Sequence, residues 1–74
     1  MPEAKKQRIA DAADMIVGGY AVIAKRDGYQ IVNLETGHTA KVSKTLKVLA
    51  TNMYDIEQVI AIERLRDNLE FLAA

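Results

Sequence analysis

Tyr20-Ala-Val-Ile-Ala-Lys-Arg-Asp-Gly-Tyr-Gln-Ile-Val-Asn-Leu34 is the stretch that decides the fold. Two runs rich in β-branched and aromatic residues flank Asp27-Gly28. Asp-Gly in that setting is a strong hairpin signal, because a type I′ turn needs positive φ at both central residues. A two-residue loop at Asp27-Gly28 predicts Arg26 opposite Tyr29, Lys25 opposite Gln30, Ala24 opposite Ile31 and Ala21 opposite Leu34. Period-two alternation puts Ala21, Ile23, Val32 and Leu34 on one face and Tyr20, Val22, Ala24, Tyr29 and Ile31 on the other. Both faces are largely apolar, so the sheet is expected to be covered on both sides.

Beyond this hairpin, Glu35-Thr36-Gly37 reads as a second turn and His38 to Ser43 as a third strand, completing a three-stranded antiparallel meander. Residues 44–53 admit two readings. Leu46, Leu49, Ala50 and Met53 have helical spacing with Ser43 as a cap, which leans toward a short helix; Leu46-Lys-Val and Val48-Leu-Ala could instead prolong the sheet. On the other side, Ile9, Ala12, Ala13 and Ile16 recur at helical spacing, which predicts a helix over 3–17 with Pro2 at its start and Gly18-Gly19 as its stop. Lys5, Lys6 and Arg8 sit at its positive dipole end, so residues 1–5 are expected to be the least ordered.

Asp55 to Ala74 reads as one long helix, with Asp55 and Gln58 forming a capping-box pattern and Arg66 and Glu70 an i,i+4 pair. Its apolar residues make two sides. Ile56, Val59 and Ile60 lie on one; Ile62, Leu65, Leu69 and Leu72 lie on another, a quarter-turn or more away. One side can cover a small sheet and the other needs a partner, since a chain of this size buries only about 60% of its extended surface. The second side is expected at an interface, which implies a homodimer or another protein partner. The fold expected is α+β: N-terminal helix, three-stranded meander, short helix or strand, and a C-terminal helix packed on the sheet, all in a single domain over residues 1–74.

The 74 residues contain no cysteine, which excludes disulfides and thiolate metal sites. No apolar run approaches the roughly 20 residues that span a bilayer, and the N-terminus lacks an apolar signal-peptide core, so a cytoplasmic, membrane-free protein is expected. Net charge is zero but polarised: residues 1–47 hold eight bases against five acids, residues 48–74 two against five. Lys25, Arg26, Lys41, Lys44 and Lys47 are therefore the candidate contacts if the chain is a nucleic-acid-binding regulator, the alternative to a protein-interaction module.

Catalytic signals are thin. His38 is the only histidine, and as a base it would need an orienting acid, for which Glu35 is nearest in sequence. Asp11 with Asp14 and Glu63 with Asp67 read as solvated helix faces, and Ser43, Thr45 and Thr51 have no local base. Gly18-Gly19 and Asp27-Gly28 do not match a phosphate-binding loop. No catalytic residue, cofactor or metal is expected, and a small non-enzymatic interaction or regulatory module that self-associates through its last helix is the reading the residues support.

Overall fold

The structure is a computed structural model that describes residues 1–73, with side chains through Leu69. Helix α1 (Glu3–Ala12) is followed by strands β1 (Met15–Val17), β2 (Tyr20–Lys25), β3 (Gly28–Asn33), β4 (Thr39–Ser43) and β5 (Val48–Thr51), and by helix α2 (Asp55–Ala73). The strands pair in chain order as one antiparallel sheet. The α+β class and the meander stand, but the sheet has five strands rather than three.

The additional first strand corrects the predicted helix over 3–17. That helix stops at Ala12, because Ala13 turns extended (φ −73°, ψ 141°). Gly18 and Gly19, at φ 56° and 84°, do not end a helix; they make the two-residue turn of a β1–β2 hairpin closed by the Val17–Tyr20 pair. Asp14, expected on a solvated helix face, instead accepts the Ala24 amide through Oδ2 at 2.7 Å beside that hairpin.

The additional last strand settles residues 44–53 against the helix. The Ser43 hydroxyl does accept a backbone amide, from Lys47 at 3.0 Å, but in a loop that reverses the chain. Leu46 takes φ 65° there, an unfavourable conformation for a side-chain-bearing residue, and its side chain packs against the core in return. Val48 then pairs with Val42, with a bulge between Lys41 and Val42.

In the central hairpin the turn is Arg26-Asp27, not Asp27-Gly28, so Lys25 pairs Gly28, Ala24 pairs Tyr29 and Ala21 pairs Val32. Gly28 serves a close approach: a Cβ there would run into the Val42 carbonyl of the neighbouring strand. Moving the turn by one residue shifts every partner by two. The face of each side chain is therefore unchanged, and the predicted two-sided pattern holds.

One face carries Tyr20, Val22, Tyr29, Ile31, Ala40 and Val42, packed against Ala61, Leu65 and Leu69 of α2 and against Met53 just before it. The opposite face carries Ala21, Val32 and Leu34, against which Met1, Ile9 and Ala13 pack. α1 covers only that corner and has no buried residue of its own. The row Ile23–Gln30–Lys41–Ala50 on the same face has Lys41 and Ala50 in solvent.

The side of α2 facing the sheet also corrects the sequence reading. Leu65 and Leu69, expected at an interface, are 0% and 2% exposed in the chain's own core. Ala61, Leu65 and Leu69 repeat every four residues and so share one side of the helix, which packs with Tyr20, Val22, Tyr29, Ile31, Ala40 and Val42 of the sheet. Ile56, Val59 and Ile60 lie on another side and are 73%, 56% and 37% exposed. Burial of Leu65 and Leu69 stabilises the chain by roughly 25 cal/mol per Å² of apolar area removed from water.

Candidate functional site

Two features stand where α2 begins. One is polar and joins the helix to the β3–β4 turn. Asn33 ends β3, and its Oδ1 accepts the Glu35 and Thr36 amides at 2.9 and 3.1 Å, which folds the turn back on itself. Its Nδ2 is thereby aimed at α2 and donates to Glu57 Oε1 at 2.8 Å. Thr36 Oγ1 donates to the same oxygen at 3.3 Å. His38 Nδ1 meets Glu57 Oε2 at 3.0 Å, with the two side chains 31% and 14% exposed. The Tyr54 ring stands edge-on to the imidazole, centroids 5.6 Å apart.

Burial pushes the Glu57 carboxyl up, but the His38 and Asn33 hydrogen bonds, the His38 charge and the Tyr54 backbone outweigh it and hold the group below its ordinary value. The carboxylate is thus the acceptor of a clasp whose donors belong to its own fold. His38 does have an acidic partner, but it is Glu57 rather than Glu35. The two are 19 residues apart in sequence, so no local motif pairs them. A helix-surface glutamate is unremarkable until the fold sets it over a turn.

The second feature is apolar. Ile56 is 73% exposed and Val59 56% exposed on the outward side of α2, next to the equally exposed Tyr54. Ile62, expected at an interface, is half-buried and lines a hollow between α2 and the β4–β5 loop with Val59, Leu46 and Val48. Leu72 lies outside the side chains described, as does Glu70, the expected partner of Arg66. The predicted capping box is replaced by a related bond, with Gln58 Nε2 donating to the Met53 carbonyl at 3.0 Å.

The five bases do not converge. Lys25 and Lys41 border one hollow on the open sheet face with Gln30 and Leu49. Lys44 stands over the Tyr29 ring at 5.2 Å, on the face that α2 covers. Arg26 is at the hairpin tip, and Lys47 is in the β4–β5 loop beside exposed Leu49. Among the described residues no group of three or more His, Asp or Glu is placed to hold a metal ion. No helix among them is long and apolar enough to cross a membrane.

A five-stranded meander clasped between unequal helices, with an apolar strip left open on the larger one, defines a small α+β module. The chain belongs to a family of unknown function, DUF7723, whose model matches residues 3–72. No curated protein and no solved structure matches it.

Proposed function

We propose that the chain is a non-enzymatic interaction module that associates with itself through the outward side of α2, centred on Val59. The observation that carries this reading is the exposure of Ile56 and Val59 beside Tyr54 on a helix whose other side already fills the core. Large apolar side chains grouped in this way, on a domain too small to bury them, mark a contact surface. A cytoplasmic location belongs to the same proposal and is read by fractionation.

Sedimentation of the wild type and of Val59→Asp over a wide concentration range tests it. The reading requires a wild-type dimer and a Val59→Asp monomer that keeps its circular dichroism. A wild type that stays monomeric at millimolar concentration overturns it. Leu65→Asp cannot serve, because a carboxylate at a fully buried position would unfold the chain whatever its oligomeric state.

A further inference from the structure

Resting on that reading, we infer that the partner is a second copy of this chain, its α2 lying antiparallel across the first and locked by reciprocal Asp55–Arg66 ion pairs. The α2 wall of the hollow beside the β4–β5 loop consists of Asp55, Gln58, Val59, Ile62, Glu63 and Arg66. Asp55, Val59, Ile62 and Arg66 follow a four–three–four spacing, which confines them to an arc of roughly 60° on the helix. An acid stands at one end of this strip, a base about 16 Å away at the other, and two aliphatic residues between them.

The strip is self-complementary in one direction only. Turning a second α2 about a two-fold axis level with Ile60 and Ala61 puts Asp55 opposite Arg66 of the partner subunit. The same rotation sets Val59 opposite Ile62 of the partner subunit. The four residues of the strip thus meet a chemically fitting counterpart, and each contact occurs twice, as an isologous interface requires. A parallel arrangement would set acid on acid and base on base. The antiparallel pair also opposes the two helix dipoles. Leu46 and Val48, half-buried on the far wall, flank the strip and would shield its apolar centre from water.

Charge reversal and recombination test the arrangement. Asp55→Lys alone and Arg66→Glu alone are each expected to weaken self-association about tenfold or more, because each creates two like-charge contacts per dimer. Mixed in equal amounts, the two variants regain every opposite-charge contact, and a heterodimer within about threefold of wild-type affinity is expected. The Asp55→Lys/Arg66→Glu double variant should likewise recover as a homodimer. If the mixture and the double variant stay as weak as the singles while Val59→Asp still dissociates the wild type, the antiparallel geometry is wrong and the self-association reading survives. If the wild type never associates, both fall. Circular dichroism of each variant separates lost pairing from lost helix, and recovery on mixing cannot arise from unfolding.

Discussion

The two sides of α2 carry similar amounts of aliphatic side chain and do different work. Ala61, Leu65 and Leu69 are sealed against the sheet, whereas Ile56 and Val59 stand in water on the same helix. Hydrophobicity alone therefore does not decide which side folds the chain. Position on the helix does: the side turned to the sheet is sealed and the other is left open. The remaining apolar residues are free to serve another surface.

The largest effect that would break this contrast comes from the sealed side. Leu65→Ala should cost about 2–5 kcal/mol, the transfer loss plus a cavity, and chemical denaturation should show it; a cost below about 1 kcal/mol would mean α2 is loosely held. Overpacking comes next. Ala61→Leu should cost about 1–3 kcal/mol, because Ala61 is 1% exposed and leaves no room for a larger side chain.

A smaller effect is expected at the clasp that fixes where α2 begins. Glu57→Gln should lose roughly 1–2 kcal/mol at neutral pH, as hydrogen bonds to a charged acceptor are replaced by weaker ones. The carboxyl is held below its ordinary value of 4.5 in the folded chain. Its contribution is therefore fully present above that value and is lost as pH falls through the lower folded one. Wild type and Glu57→Gln should converge in stability on acidification, and a gap that persists under acid would assign the loss to packing. The smallest effect on folding belongs to the open side. Val59→Ala should change stability by less than about 0.5 kcal/mol, with helix propensity offsetting the lost methyls, yet should weaken association measurably by light scattering.

Much of the fold was legible because strand faces are robust to small errors. The turn at residues 25–28 sits one position away from the Asp-Gly reading, yet Tyr20, Val22, Tyr29 and Ile31 still share one face and Ala21 and Val32 the other. Gly18-Gly19 was ambiguous in principle, since left-handed glycines end helices and close hairpins alike; the three-residue strand before it is too short to announce itself. Nothing local marks Leu46 for positive φ, which tertiary packing imposes. Glu57 was invisible as a partner of His38 for the same reason: the contact exists only once α2 lies over the β3–β4 turn. The outward side of α2 was legible as apolar, but which of its two sides faces the sheet is decided by tertiary packing and not by any local pattern.

The most direct test of the division between the two sides is an amide chemical-shift map of the ¹⁵N-labelled chain as it is diluted through its association range. Shifts confined to the Asp55–Arg66 stretch of α2 and to the neighbouring Leu46–Val48 loop are the expected result. Changes centred on the open sheet face around Lys41 and Leu49, or no concentration dependence at all, would contradict the assignment of that helix face to self-association.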